Sequence, residues 1–372
     1  MEIWNVLLQG WQIPGKTIIK IMFRAAVCCI LLMAGLAACT SQKPSALKYR
    51  FASQEEGRRL KLANTAYLEA LTQNDIDWKL QTSGQSLEEF KTVAVEQIGE
   101  FTDEEKKSVS KVMDFIEGRA SELGFRLPVS EEIVFIKTAM GDEGHMGGYT
   151  QKNEIYLSAD ETEYLTRAFH ADPEFDADYL EYLIHFNRGL ISHEIFHCLT
   201  RNNAEFRAAL YGLIGFHVMD HEVEFGPTVR NLLLQNPDVE HNDCWGEFTI
   251  DGQKRRCALV AIYPGTYAEA AEDDPDASFY AYMQSVLVPL DEPDTMIPTD
   301  DVPGFYDVMG RNTDYICVPE ECLAENFSFL ISYGFFGRYD LTLDTRKVLF
   351  VPYATPSLIR NMHAVLLQHF QK

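Results

Sequence analysis

Positive charge is scarce in this chain of 372 residues: 32 Lys and Arg stand against 56 Asp and Glu, a formal net charge of −24. That balance opposes binding to nucleic acid or to an anionic membrane surface, and a neutral or basic partner suits it better. Long apolar runs are scarce too. The run Ala25 to Ala38 is about fourteen residues, short of the roughly twenty that carry a permanent helix across a bilayer. No CxxC spacing repeats, so a zinc ribbon is not indicated, and no internal repeat is visible. What remains is an ordinary globular composition, 46% hydrophobic, sufficient for one large or two modest domains without external staples.

The first forty residues stand apart. Lys16, Lys20 and Arg24 precede the apolar run, which ends on Cys39, the pattern of a secretion signal over residues 1–38. A start at Met22 would leave only Arg24 as a basic n-region, so an upstream start such as Met1 is favoured; an uncleaved membrane anchor is the other reading. Leu36-Ala37-Ala38-Cys39 resembles the lipobox of bacterial lipoproteins. The resemblance implies cleavage before Cys39, lipid on its thiol, and a place in the cell envelope. Thr40, where that family has an aspartate for inner-membrane retention, points to the outer membrane. Loss of residues 1–38 removes three basic residues and one acidic residue and leaves a charge of about −26. Five cysteines then remain, Cys198, Cys244, Cys257, Cys317 and Cys322, an odd number that cannot pair fully. Asp251-Gly252 is a hairpin signal, and a two-residue turn there sets Cys257 opposite Gly246 rather than Cys244.

Beyond a polar linker, helical periodicity covers roughly 54–72, 86–100 and 103–123, the last opened by the capping box of Thr102 and Glu105 and closed by Gly124. Residues 39–128 are read as linker and N-terminal helical unit. Strand signals follow at Ile133–Ile136 and Glu154–Leu157, on either side of a glycine-rich loop through Gly141, Gly144, Gly147 and Gly148. A long helix spans about 178–200, residues 240–310 are β-rich, a helix opens on Pro319 and closes at Gly334, and an amphipathic helix covers 356–371.

The chemistry concentrates in His193-Glu194-Ile195-Phe196-His197. Histidines four apart on a helix project from one face at successive turns and offer two nitrogens to one zinc. Glu194 lies about 100° further round, where it can take a proton from water without filling a coordination position. Chance alone gives such a motif in a chain this long at about the one per cent level. The flanking Ile191, Ser192, Cys198 and Leu199 are uncharged, as a buried metal helix requires. A catalytic zinc needs a third protein ligand and an open position. Glu321 and Glu325, four apart at the start of the helix beginning at Pro319, can supply the ligand and an acid that orients a histidine. Glu222 or Glu224 gives a shorter interval. Glu320 reads as a capping charge at the positive helix end.

H-E-x-x-H followed by a helix bearing E-x-x-x-E resembles the gluzincin group of zincin metallopeptidases, of thermolysin and anthrax lethal factor type. That resemblance covers about a tenth of the chain. It implies zinc on His193, His197 and Glu321, Glu325 behind a histidine, Glu194 as general base, and Tyr315 as a stabiliser of the oxyanion. It also implies an edge strand at Glu154–Leu157 that pairs with an extended substrate. His197 and Glu321 are 124 residues apart, longer than is usual in the group, so a β-rich insert at about 240–310 must fold away from the site. Thr200 and Asn203 stand where a metzincin would have glycine and histidine. His170, His185, His217, His221 and His241 read as structural or surface residues, and a cysteine hydrolase using Cys198 lacks an orienting partner.

The expectation is therefore an α+β, zincin-like protein with its catalytic domain over 129–372, a lipid-anchored zinc peptidase acting on a peptide or protein substrate and binding no nucleic acid. The alternative is a non-catalytic envelope lipoprotein whose zinc is structural and which binds a partner or cell-wall component.

Overall fold

The computed structural model describes residues 47–274, 277–342 and 347–371. The expected signal over 1–38 and the lipidation site Cys39 lie outside these residues. After β1 (Tyr49–Phe51) come α1 (Gln54–Lys61), α2 (Thr65–Ala70), α3 (Gln73–Leu80), α4 (Leu87–Glu96) and α5 (Asp103–Glu122). The continuous helix expected over 54–72 is broken once, at Leu62–Asn64, and a further helix, α3, begins just beyond its expected end. Asn64 caps α2 by accepting from the Tyr67 amide, and Thr72 with Asp75 forms a capping box on α3, so each polar residue restarts the chain. On α5 the Thr102/Glu105 box stands where its spacing indicates, with Val109, Val112, Met113 and Ile116 buried along one face.

Then β2 (Ile133–Thr138), β3 (Gly148–Gln151) and β4 (Glu154–Ser158) complete a four-stranded sheet in the order β1-β2-β4-β3. Strands β1, β2 and β4 are parallel and β3 runs antiparallel to β4. This corrects the expected edge strand: Glu154–Leu157 is interior, and the edge is β3, drawn from residues read as part of a glycine-rich loop. Ser158 N–H donates to Gly147 O at 2.9 Å. Antiparallel pairs alternate between bonded and unbonded, so the N–H and C=O of Gly148, opposite Leu157, turn away from β4.

The helices α6 (Ala159–Phe169), α7 (Ala177–Asn202) and α8 (Ala204–Leu213) follow. Next come β5 (Phe216–Val218), α9 (Pro227–Leu232), β6 (Cys244–Ile250), β7 (Gln253–Ile262), α10 (Tyr267–Asp273), α11 (Phe279–Tyr282), β8 (Gln284–Pro289) and β9 (Ile297–Pro298). Strands β5 to β9 form an antiparallel sheet in chain order. Asp251 and Gly252 sit at φ 51 and 76, as a two-residue hairpin loop requires, and Cys257 faces Gly246. All five cysteines among the described residues are buried and unpaired. The chain ends with α12 (Phe305–Met309), α13 (Pro319–Tyr333), the hairpin β10 (Gly337–Thr342) and β11 (Lys347–Pro352), and α14 (Pro356–Phe370).

The fold is thus α+β. One apolar core takes Leu47, Val112 and Phe135 from the N-terminal half and Ile195, Leu323, Phe327 and Met362 from the rest. Residues Leu47–Lys372 form one compact unit. The N-terminal helices also carry buried charge. Lys61 Nζ lies 2.6 Å from Asp142 and Lys79 Nζ 2.5 Å from Glu143, all four side chains no more than 1% exposed. Both acids sit in the loop that leads into β3. No described helix is long and apolar enough to cross a membrane.

Candidate metal centre

The N-terminal half of α7 is a surface helix, capped by Asp176 on the Tyr179 amide; its last third, Ile191 to Thr200, is buried apart from part of His193. The change follows composition, since no residue between Gly189 and Thr200 other than His193, Glu194 and His197 is ionisable in the ordinary range save the enclosed Cys198. Against this stretch packs α13, where Pro319 fits the first turn, whose amide has no helical partner in any case. Phe196 and Phe327 meet with ring centroids 5.5 Å apart. That contact brings the first turn of α13, with Glu320 and Glu321, over His193 and His197.

His193 Nε2 lies 2.8 Å from Glu321 Oε2, and one ligand atom from each of His193, His197 and Glu321 falls within 4.8 Å of the others. Glu222 and Glu224, the shorter-interval alternative, are exposed, and Glu222 accepts from His241 and from the Asn242 amide. The structure therefore gathers the two histidines with Glu321 and leaves that pair outside. Glu325 Oε2 is 4.0 Å from His193 Nδ1 and accepts from the Ser328 hydroxyl at 3.0 Å.

Glu320 is not merely a capping charge. It accepts from His197 Nδ1–H at 3.1 Å, from the Thr200 hydroxyl at 2.5 Å and from the Tyr211 hydroxyl at 2.7 Å. For His197 the bond from Nδ1 to Glu320 fixes the tautomer and leaves Nε2 for the centre, whereas His193 bonds Glu321 through Nε2 and has Glu325 only as a nearby charge on its Nδ1 side. An acidic doublet opening a helix that faces two histidines a turn apart is the signal that could have revealed this role. Asn236 was likewise missed. Its amide donates to Glu321 Oε1 at 2.6 Å from the loop between α9 and β6.

The donor set suits a divalent cation such as zinc: two imidazole nitrogens and a carboxylate. His197 Nε2 is enclosed and has no hydrogen-bond partner among the described residues. With Nδ1 committed to Glu320, that nitrogen presents a lone pair, for which a cation is the fitting partner. Burial alone would lower the His193 pKa, but Glu321, aided by Glu194 and Glu325, holds it up at about 10. Burial would raise Glu321, yet His193, His197 and Asn236 hold it below the usual carboxylate range. A proton and a cation compete for the same place.

Glu194 stays outside this triad. Its Oε2 accepts from the Thr150 hydroxyl of β3 at 2.7 Å, and burial raises its pKa despite the nearby histidines. Asp238, from the same loop as Asn236, is 4% exposed and joins Glu194 and His197 in a second group of mutually close donor atoms. A cleft of about 780 Å³ opens over His193, Glu194, Asp238 and Glu321. Gly147 and Gly148 form part of its rim, Tyr182, Phe186, Tyr333 and Tyr339 part of its wall. Tyr315 lines it too, its ring 6.4 Å from that of His193. The region 240–310 does not fold wholly away from the site, because Tyr280 on α11 also lines the cleft.

Among the weaker candidates, His185 lines the cleft, whereas His170 faces Glu104, His217 stacks on Trp245, His221 pairs with Asp220 and His241 with Glu222. Cys198 is buried in the core and its thiol is pushed up to about 12, which removes it as a nucleophile. No family model, no curated protein and no solved structure matches the chain.

Proposed function

We propose that the protein is a zinc-dependent hydrolase, acting on peptide bonds. One observation carries this reading: His193, His197 and Glu321 converge their donor atoms while Glu194, an intact acid next to them, keeps out of the triad at the floor of an open cleft. A site that only braced the fold would be closed by four ligands and would have no use for that acid. Zinc, when bound, supplies a Lewis acid and lowers the pKa of water. The chain's own residues do the rest. His193, His197 and Glu321 hold the ion, with Glu320, Glu325 and Asn236 orienting them. Glu194, raised by burial, takes a proton from the attacking water and delivers it to the leaving amine. Thr150 aims its carboxylate.

Peptide as substrate is supported by the resemblance of the two helices to gluzincins, and by β3. The backbone groups of Gly148 face the cleft beside Glu194 and are free to pair with an extended chain, as an edge strand does. The zincin-like fold is part of this proposal on the strength of those two helices, and a mixed sheet with β3 at its edge is compatible with it. Tyr315, which lines the cleft with its ring 6.4 Å from that of His193, would serve as the stabiliser of the oxyanion that the resemblance implies. The lipobox-like segment would tether this hydrolase to the cell envelope.

The test is zinc content and turnover of casein and a peptide library by wild type and Glu194→Gln. Stoichiometric zinc in both with hydrolysis only by wild type supports the reading. Stoichiometric zinc with no hydrolysis by either favours the structural-zinc lipoprotein.

A further inference from the structure

The loop Gln235 to Glu240 enters the centre from outside both metal-bearing helices. Asn236 and Asp238 are its two residues at the site, and Asp238 has no part in the reading above. Its Oδ1 accepts from the Thr150 amide at 2.5 Å and lies 3.8 Å from His197 Nε2. Among the described residues no donor reaches its Oδ2, although the residue is 4% exposed and lines the cleft. Arg201, near the end of α7, fastens the loop by donating to the carbonyls of Asp238 at 2.8 Å and Thr150 at 2.9 Å.

Thr150 ties two carboxylates together. Its amide serves Asp238 while its hydroxyl serves Glu194. The two acids each have an oxygen within 4.8 Å of the other's and of one ring nitrogen of His197. Buried carboxylates this close repel unless a cation or a hydrogen-bond donor lies between them. Because His197 Nδ1 is taken by Glu320, only one nitrogen lone pair, hence one cation position, is available. His193 and Glu321 form one group of close donor atoms with His197, and Glu194 and Asp238 form another.

We infer that Asp238 is a second water-holding acid of this centre: it accepts a hydrogen bond from one O–H of the attacking water while Glu194 removes the other proton. Asp238 takes no proton itself. With both hydrogens held, the oxygen's remaining lone pair is turned toward the cleft, where the scissile carbonyl would lie. The inference rests on the peptidase reading.

Asp238→Asn tests it in the full chain, because a carboxamide oxygen still accepts from the Thr150 amide whereas its NH₂ cannot accept from water. The expected result is a kcat about a hundredfold lower with KM little changed. Zinc affinity in chelator competition should stay within about tenfold, less than loss of a ligand gives. The cobalt-substituted protein should keep the intensity of its visible bands but shift their positions. Zinc affinity lost by far more, with the cobalt bands altered in intensity, would make Asp238 a metal ligand and overturn the inference. So would wild-type kcat and an unchanged cobalt spectrum. Asp238→Ala is the control: if it alone fails while Asn retains full kcat, Asp238 merely braces Thr150. Absence of turnover by the wild type would defeat the peptidase reading instead, and the cobalt comparison would still decide whether Asp238 faces the open position.

Discussion

Glu320 and Glu321 are neighbours in sequence, yet they serve different histidines: Glu320 accepts from His197 Nδ1–H at 3.1 Å, and Glu321 lies 2.8 Å from His193 Nε2. Consecutive helical residues diverge by about 100°, so one turn of α13 spans both imidazoles of α7. Glu320→Gln keeps the shape but removes the charge behind His197. Zinc affinity should fall about 10- to 100-fold, measured by chelator competition. Glu320→Ala should in addition lower stability by about 1–3 kcal/mol in denaturant unfolding, since the enclosed Tyr211 hydroxyl loses its acceptor while that of Thr200 keeps the His197 carbonyl.

The metal-free protein should lose stability with rising pH. His193 is raised in the folded state from 6.5 to about 10, so the stabilisation from its pairing with Glu321 is complete below about pH 6.5 and fades as pH rises toward 10. Zinc replaces the proton and removes this dependence. Thermal midpoints of chelated and zinc-loaded protein between pH 6 and 10 check this: only the chelated form should fall, and parallel curves would rule it out.

Thr150→Val removes the hydroxyl that aims Glu194 without changing side-chain size. Its backbone bond to Asp238 persists. Turnover should drop about tenfold, the worth of a hydrogen bond to a charged group, while zinc affinity stays as it was. Matched zinc titrations and peptide assays would show the split.

The contact of α7 with α13 sets the geometry of the whole centre. Phe327→Ala should lower stability by about 3–5 kcal/mol through the cavity left beside Phe196. Because the histidines and Glu321 sit on opposite sides of that contact, zinc affinity should fall with it.

What could be read from the sequence follows from what is local. His193, Glu194 and His197 are set by helical spacing alone, and α13 announces itself through Pro319 at its start and Gly334 at its end. Glu321 and Glu325 then follow from position on that helix. Thr150, Asn236 and Asp238 were hidden because they reach the centre from a strand and a loop, where no period marks one residue above its neighbours. The edge strand was misplaced for a related reason. Gly147 and Gly148 have the composition of a loop, and only the register of β3 on β4 makes Gly148 a rim residue. The helix expected over 54–72 failed where Asn64, a polar residue inside an apolar period, acted as a cap.

The buried pairs Lys61 with Asp142 and Lys79 with Glu143 bear on how this chain can be cut. Removing one partner of such a pair typically costs about 3–5 kcal/mol, because the remaining charge is stranded out of water. A fragment beginning at residue 129 would lose both lysines at once, together with β1. The motif-bearing helices would be intact in it, but the loop feeding Gly148 and Thr150 would carry two acids with nothing to neutralise them. The segment before α7 and α13 therefore neutralises the rim of the cleft from outside the motif-bearing half, and residues 129–372 excised alone should neither fold nor assemble the candidate centre.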